Sequence, residues 1–192
     1  MNLPYVIESD DSGDKTYEIY SRLLRDRIIF LQGQFNGPMA NGIVAQLLYL
    51  QSSDPKKDIF VYVNSPGGEV TSLYSIYDTM QYITPDIVTV GIGQVASAGS
   101  FILAAGTKGK RMALTNTEIM VHEFSGGFEG PARDIFNQHD HMVKLYGKMA
   151  NHYAEMTGQP IEKIKEDMRK DYYMSAQEAV EYGLIDKVVT RL

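Results

Sequence analysis

The fold is decided by residues 58–106, which read DIFVYVNSPGGEVTSLYSIYDTMQYITPDIVTVGIGQVASAGSFILAAG. Residues 58–68 and 86–93 are apolar runs typical of buried strands. Each is followed by a segment of helical character, 69–83 and 97–106, and the second of these is almost free of polar side chains. Successive strand-to-helix units predict an α/β fold with a largely parallel sheet, because such connections are right-handed and return the chain in the same direction.

The same alternation extends outward on both sides. Residues 26–33 (DRIIFLQG) have the composition of a buried strand and precede a helical stretch that ends by Asp54. TEIMVHEF (117–124) is predicted to be a further strand, and AQEAVEYGLID (176–186) to contain a helix before a closing strand. No linker or internal repeat divides the chain, so residues 1–192 are predicted to form a single domain.

Two segments are predicted to stand out from this domain. Residues 1–17 include the acidic stretch ESDDSGDK without apolar periodicity, which predicts a mobile N-terminal loop. A helix of about 40 Å is predicted from about Pro131 to Thr157, within a projecting handle region at about 124–157. Its apolar stripe has heptad-like spacing, and part of the helix is expected to project and pack on another subunit, the alternative being a helix that lies across its own sheet. The stripe consists of Ile135, Met142, Leu145, Met149, His152 and Met156.

Composition excludes several classes of function. The chain has 18 Lys and Arg against 24 Asp and Glu, a net charge of −6, whereas nucleic-acid binding needs clustered cations. Cysteine is absent, which excludes disulfides and thiol catalysis. No apolar run approaches the roughly 18 residues of a membrane span. The acidic N-terminal segment lacks the apolar core of a signal peptide, so we expect a cytoplasmic protein that binds neither nucleic acid nor membrane.

The first candidates for chemistry lie where strands end. Ser97 follows the strand 86–93 and opens the next helix, where free backbone N–H groups could stabilise an oxyanion. The nucleophile-elbow pattern G-x-S-x-G is broken by Val95, and a serine at a helix start is also an ordinary N-cap. Gly67 and Gly68 follow another strand and could expose consecutive N–H groups, although glycine pairs are common in turns.

His122 and Asp171 are the further candidates. His122 ends the strand 117–124, so it could meet Ser97 at one edge of the sheet, although a lone strand histidine is more often structural. Asp171 precedes the final helix and could orient a histidine, but exposed aspartates in loops are common. His139 and His141 are two residues apart and do not share a helix face, so no metal site is predicted.

Four segments, taken together in order and spacing, resemble the family of the proteolytic subunit of the caseinolytic Clp protease, ClpP (peptidase family S14). They are FVYVNSPGGEVTSLYSIYDTMQYI (60–83), VGIGQVASAGSFILAAGTKGKR (90–111), MVHEFSGGFEG (120–130) and YYMSAQEAVEYGLID (172–186). The similarity extends from about Tyr5 to Val189. It implies the ClpP/crotonase-like fold, built of repeated ββα-type units with a protruding long helix.

The resemblance implies a serine endopeptidase whose catalytic triad falls on Ser97, His122 and Asp171. Ser97 attacks a peptide carbonyl, His122 moves the proton, and Asp171 orients the imidazole. The oxyanion hole falls on the backbone N–H groups of Gly68 and Ala98. The resemblance requires no cofactor or metal, and the chain has no Walker sequence for ATP hydrolysis.

The resemblance also implies partners. The expected assembly is a homo-oligomer of two stacked heptameric rings, in which Lys170 and Asp134 make a contact between rings. Its substrates are polypeptides unfolded and delivered by an ATP-dependent Clp unfoldase of the ClpX or the ClpA/ClpC kind. The positions that match the unfoldase docking clefts, each of which could instead be a core residue, are Leu23, Leu48, Tyr49, Phe60, Tyr62, Tyr82, Met112, Leu114 and Val189.

Two alternatives to an active peptidase remain open from the sequence. The chain could be a catalytically silent structural member of a mixed ring, although such a subunit is usually recognised by a missing Ser, His or Asp. It could also be an acyl-CoA enzyme of the related crotonase-like fold, which uses backbone oxyanion donors without a triad. A serine-directed label separates these possibilities, because only the peptidase should react at Ser97.

Overall fold

The computed structural model describes residues 4–10 and 13–191. Within these ranges the chain forms nine strands and seven helices. The strands are β1 (Tyr5–Asp10), β2 (Gly13–Glu18), β3 (Ile28–Gln32), β4 (Ile59–Ser65), β5 (Ile87–Ala96), β6 (Arg111–Leu114), β7 (Glu118–Val121), β8 (Tyr172–Ser175) and β9 (Lys187–Val189). The helices are α1 (Ile19–Arg25), α2 (Gly37–Ser53), α3 (Val70–Tyr82), α4 (Ala98–Ala104), α5 (Ala132–Thr157), α6 (Ile161–Asp167) and α7 (Ala176–Tyr182).

The predicted α/β fold with a mainly parallel sheet is confirmed. The main sheet runs in the order β3-β4-β5-β6-β9, and β7 pairs with β5 and with β8. All of these pairs are parallel except β7 with β8, which is antiparallel. Helices α2, α3 and α4 each follow a strand of this sheet, as the strand-to-helix alternation predicts.

Residues 1–17, for which a mobile loop is predicted, contain two paired strands in the part that the structure describes, and their mobility stays a prediction. Strands β1 and β2 pair antiparallel in register, from Tyr5 opposite Glu18 to Asp10 opposite Gly13. The segment has no apolar periodicity because this hairpin packs little of its surface: Tyr5 and Ile7 are both more than half exposed. Residues 1–3, 11 and 12 lie outside the described residues.

Alternating burial along β4 explains how the sheet meets its helices. Ile59, Val61 and Val63 are fully buried, while the side chains between them are only partly covered. Burial of one face of the strand requires this period of two. Leu47 of α2 and Leu73 of α3 are fully buried in the same core. The core therefore lies between this face of the sheet and the helices.

Strand β5 pairs with β6 in its first half and with β7 in its second half, and this change of partner determines where Ser97 lies. Thr89–Gly91 pair with β6, whereas Gln94–Ala96 pair with β7. The register against β4 also shifts between Val63 and Ser65. The second half of β5 therefore leads into a separate corner of the sheet, and it is there that Ser97 and the ends of β7 and β8 lie.

The long helix α5 has the predicted extent and protrudes, but part of its apolar stripe is covered by residues of this chain. Residues 132–148 include no buried side chain, whereas Met149, Ala150 and Tyr153 are buried in the domain. Met142 and Leu145 line an apolar groove together with Phe124 and Phe128 of the preceding segment. The C-terminal part of the stripe thus belongs to the core of this chain, and the packing of the projecting part on another subunit stays a prediction.

Over the described ranges, no helix is both long and apolar enough to cross a lipid bilayer.

Candidate active site

Ser97 lies between β5 and α4. Its backbone has φ 55° and ψ −120°, a conformation that is rare for residues other than glycine. Its N–H donates to the Met120 carbonyl of β7 over 2.9 Å, which ties the turn to the neighbouring strand. Ser97 occupies the N-cap position, but its side chain makes no capping hydrogen bond. The Ser97 hydroxyl therefore does not make the hydrogen bond to the helix that an ordinary N-cap serine makes.

The Gly67–Gly68 turn passes directly against Ser97. A Cβ added at Gly67 would lie 2.5 Å from the Ser97 Cβ and 2.9 Å from its Oγ. A Cβ at Gly68 would lie 2.4 Å from the carbonyl oxygen of Phe35, whose N–H donates to the Gly67 carbonyl over 2.8 Å. Glycine is required at Gly67 because the Ser97 side chain packs against its Cα, and at Gly68 because the backbone of Phe35 does.

Two backbone N–H groups at this corner are free to bind an anion. Among the described residues, neither the Gly68 nor the Ala98 amide donates a hydrogen bond to the protein. Both adjoin Ser97, one through the packed glycine turn and the other through the peptide bond. These are the positions that the resemblance assigns to the oxyanion hole, and the structure leaves both donors unused.

Strand register brings His122 and Asp171 together. Val121 of β7 lies opposite Tyr172 of β8 in an antiparallel pair, so the residue after β7 meets the residue before β8. The His122 Nδ1 is 3.0 Å from the Asp171 Oδ1, with His122 about one-third exposed and Asp171 about half exposed. This contact leaves the His122 Nε2 as the ring nitrogen available to another group.

The register also places Ser97 beside this pair. Ala96 is the parallel partner of Met120, two residues before His122, so the chain after β5 leaves the sheet where β7 ends. Within the described ranges no hydrogen bond joins the Ser97 hydroxyl to the His122 Nε2. Such contacts are often long in a free enzyme and shorten when substrate binds.

Two residues that sequence reasoning missed contact the Ser97 backbone. Ser100 Oγ donates to the Ser97 carbonyl over 2.8 Å, and Tyr153 of α5 approaches the same oxygen at 3.3 Å. The spacing of three residues between Ser97 and Ser100 in a helix was a usable signal. Tyr153 had none, since it lies 56 residues away in sequence.

No cluster of three or more potential metal ligands occurs among the residues that the structure describes.

Comparison with known protein families decides the relationship. A sequence model of the Clp protease family matches residues 11–192. The chain belongs to the Clp protease family. Membership confirms the resemblance found in the sequence and implies a proteolytic function of the serine peptidase kind.

The Clp docking positions proposed from the sequence are all at least partly accessible. Leu48, Tyr49, Tyr82 and Leu114 are exposed, with Tyr82 84% accessible. The other five, Leu23, Phe60, Tyr62, Met112 and Val189, are half-buried. None is a core residue in this chain, so the alternative of ordinary core packing does not describe them.

The two positions predicted to form the contact between rings are exposed charges. Asp134 lies in the first turn of α5, and Lys170 lies immediately before Asp171. Neither side chain has an ion-pair partner among the described residues. Both are therefore available for a contact outside this chain.

Proposed function

We propose that this chain is a catalytically active serine endopeptidase, with Ser97 as nucleophile, His122 as general base and acid, and Asp171 as the group that orients the histidine. The observation that carries the proposal is the 3.0 Å contact between His122 Nδ1 and Asp171 Oδ1, next to a serine whose hydroxyl caps nothing. A silent ring member has no need to keep this arrangement.

The chemistry proceeds in two stages. The Ser97 Oγ attacks the peptide carbonyl while His122 Nε2 takes its proton, and the negative oxygen is received by the Gly68 and Ala98 N–H groups. The tetrahedral intermediate collapses as His122 protonates the leaving amine, which leaves an acyl-enzyme on Ser97. Water then attacks this ester with His122 as base, and the peptide acid and free serine are released.

Clp proteases in general form ring oligomers that work with ATPase partners, and we extend this arrangement to the present chain. We infer two stacked heptameric rings joined through α5, with Lys170 and Asp134 in the contact between rings. An ATP-dependent unfoldase delivers unfolded polypeptide and docks on the exposed apolar positions around Tyr82. The unpaired charges and the accessible apolar side chains support this inference. The cytoplasmic location stays a prediction.

Substitution of the nucleophile tests the proposal. Ser97→Ala is expected to lose more than 10³-fold in peptide turnover, since triad members act as a unit, while the oligomer stays intact. A fluorophosphonate label should modify the unaltered protein at Ser97, as located by peptide mass analysis, and should not modify the variant. Labelling elsewhere, or equal turnover by both proteins, contradicts the proposal. An unlabelled, inactive and assembled protein would indicate a silent subunit.

A further inference from the structure

The Ser97 carbonyl is held by an unusual number of donors. It accepts hydrogen bonds from the Phe101 N–H at 3.1 Å and from Ser100 Oγ at 2.8 Å, and Tyr153 Oη lies 3.3 Å away. Only the Phe101 bond is part of the helix itself. The two hydroxyl groups are therefore additional restraints on one peptide unit.

The two hydroxyls also contact each other, with Ser100 Oγ and Tyr153 Oη 2.9 Å apart. The two hydroxyl groups and the Ser97 carbonyl oxygen make three oxygen–oxygen contacts, but only two hydroxyl protons are available for them. The protons therefore belong to the two shorter contacts, which form a chain. In that chain Tyr153 donates to Ser100, and Ser100 donates to the Ser97 carbonyl. A donor that itself accepts a hydrogen bond is polarised and becomes a stronger donor.

Burial makes this chain rigid. Ser100 is fully buried, and Tyr153 is 2% exposed with its ring edge-on to Phe101 at 5.2 Å between centroids. Burial raises the pKa of Tyr153, and the hydrogen bond with Ser100 lowers it by a smaller amount. The phenol therefore keeps its proton at neutral pH.

The chain of hydrogen bonds acts on the peptide unit that joins Ser97 to Ala98. The Ser97 carbonyl and the Ala98 N–H belong to one planar trans unit and point in opposite directions. Fixing the carbonyl oxygen thus fixes the direction of the Ala98 N–H. Hydrogen bonds to a carbonyl also draw electron density from the amide, so the N–H on its other side becomes a better donor.

We propose that Ser100 and Tyr153 are positioning residues for the Ala98 oxyanion donor, and that Tyr153 thereby connects the nucleophile turn to α5. The inference rests on the proposed function, because it assigns a task to the Ala98 N–H. It goes beyond that function by naming side chains that touch neither substrate nor reacting atoms. Their effect is confined to stabilisation of the tetrahedral state.

Tyr153→Phe tests the inference, since it removes one oxygen and keeps the ring packing on Phe101. An oxyanion donor is worth about 10²- to 10³-fold in rate, and here the donor stays in place but is less well held. We therefore expect kcat for a short peptide to fall about tenfold with KM unchanged. The affinity of a peptide boronate, which forms a tetrahedral adduct on the serine, should fall by the same factor.

Tyr74→Phe is the matched control. Tyr74 is also buried, its ring lies 5.9 Å from Phe101, and its hydroxyl is buried without a hydrogen-bond partner among the described residues. Its loss should leave turnover and boronate affinity unchanged. Ser100→Ala provides a second route to the same test should Tyr153→Phe fail to assemble. The double variant should lose no more than about the larger single effect, because both hydroxyls act through one carbonyl.

The outcomes separate the inference from the function on which it rests. A wild-type protein that neither cleaves peptide nor reacts with fluorophosphonate overturns both. An active wild type with a fully active Tyr153→Phe overturns the inference alone. So does a variant whose kcat falls while its boronate affinity is unchanged, since that pattern shows an effect outside the tetrahedral state. Parallel losses in kcat and boronate affinity, with sedimentation unchanged, support it.

Discussion

At the scale of single residues, the site depends on the close approach of the Gly67 backbone to the Ser97 side chain. Gly67 has φ +99° and faces Ser97 so closely that any side chain would collide with it. Ser97 itself has a positive φ, at a cost of about 1–3 kcal/mol for a residue with a side chain. The hydrogen bond from the Ser97 N–H to Met120 and the bonds from Phe101 and Ser100 to the Ser97 carbonyl hold this conformation.

Gly67→Ala is expected to reduce peptide turnover by at least about 10²-fold. The new methyl group would displace the Ser97 side chain, and a displacement of about 1 Å is enough for a loss of that size. Peptide turnover and the rate of fluorophosphonate labelling measure the effect, with sedimentation as the check on assembly.

Gly33→Ala is the control for Gly67→Ala. Gly33 also has a positive φ, of +80°, but an added Cβ meets nothing within 4 Å. Both variants carry the backbone strain of alanine at positive φ, and only one carries the collision. Gly33→Ala should lose stability and keep its activity per folded molecule. Equal losses of activity in the two variants would attribute the effect to strain and not to contact with Ser97.

At the scale of elements, one buried ion pair joins the edge of the sheet to the helices around the site. Arg111, at the start of β6, donates from Nη2 to Asp186 Oδ1 over 2.7 Å just before β9. Its Nη1 donates to the Met156 carbonyl near the end of α5 over 2.8 Å. Arg111 is 4% exposed. The pair therefore fixes the C-terminal end of α5 on the domain, three residues after Tyr153.

Asp186→Asn is expected to lower the free energy of unfolding by about 3 kcal/mol at neutral pH, because the buried guanidinium loses its counter-charge. Burial acts to raise the pKa of Asp186, but the hydrogen bonds and charge of Arg111 outweigh it and hold the pKa below its ordinary value. A lowered carboxyl pKa contributes stability above the unfolded-state pKa and loses it as pH falls through the folded-state pKa. The difference between wild type and variant should thus shrink below about pH 4.

Urea unfolding at neutral and acidic pH measures this difference. Asp86→Asn is the control, since Asp86 pairs with Lys110 at 2.8 Å where both side chains are well exposed. Exposed pairs contribute about 0–1 kcal/mol. A loss in Asp186→Asn that is as small as the control, or that stays constant from neutral to acidic pH, would contradict the role assigned to the pair.

At the scale of the whole molecule, the chain presents surfaces that its own domain does not use. Residues 132–148 of α5 have no buried side chain, and Phe136 is 69% exposed. On the other face of the sheet, the outward side chains of β3 and β4 form an aromatic strip in which Phe30 stacks on Tyr62 at 5.4 Å. Exposed apolar surface of this kind is typical of interaction sites.

Lys170→Ala is expected to weaken ring stacking and to lower peptide turnover together. Lys170 adjoins Asp171, so loss of the contact that we propose between Lys170 and Asp134 of a facing ring would loosen the loop that orients His122. Sedimentation and turnover measured on one preparation test this coupling. Lys165→Ala, at an exposed lysine of α6, should change neither. A fully active Lys170→Ala protein that sediments as the double ring would contradict the coupling and leave the triad assignment intact.

Tyr82→Ala is expected to abolish unfoldase-dependent degradation of a folded substrate and to leave cleavage of short peptides within about twofold of wild type. Tyr82 is the most exposed of the proposed docking positions and lies at the C-terminal end of α3, opposite the end that follows the Gly67–Gly68 turn. Degradation assays with and without the unfoldase and ATP separate the two activities. Tyr20→Ala, at another exposed tyrosine, serves as the comparison. Retention of unfoldase-dependent degradation by Tyr82→Ala would remove this residue from the docking surface.

The sequence by itself determined the α/β class, the strands and helices around residues 58–106, the long helix and the family. Those features are local, because strand and helix periodicity and short motifs are written in contiguous residues. The same reasoning overlooked α1, α6, β6 and β8, which have only four to seven residues each. Elements of that length carry too little periodic signal, and the β1–β2 hairpin has no buried face to supply one.

Only the tertiary structure decided which side chains meet. The antiparallel register of β7 and β8 brings His122 to Asp171, although 49 residues separate them. The switch of β5 from β6 to β7 places Ser97 at the same corner. Tyr153 reaches the Ser97 carbonyl from α5, and that contact depends on how the helix packs on the core. Strand register and helix packing are set by long-range burial, which no local pattern of residues records.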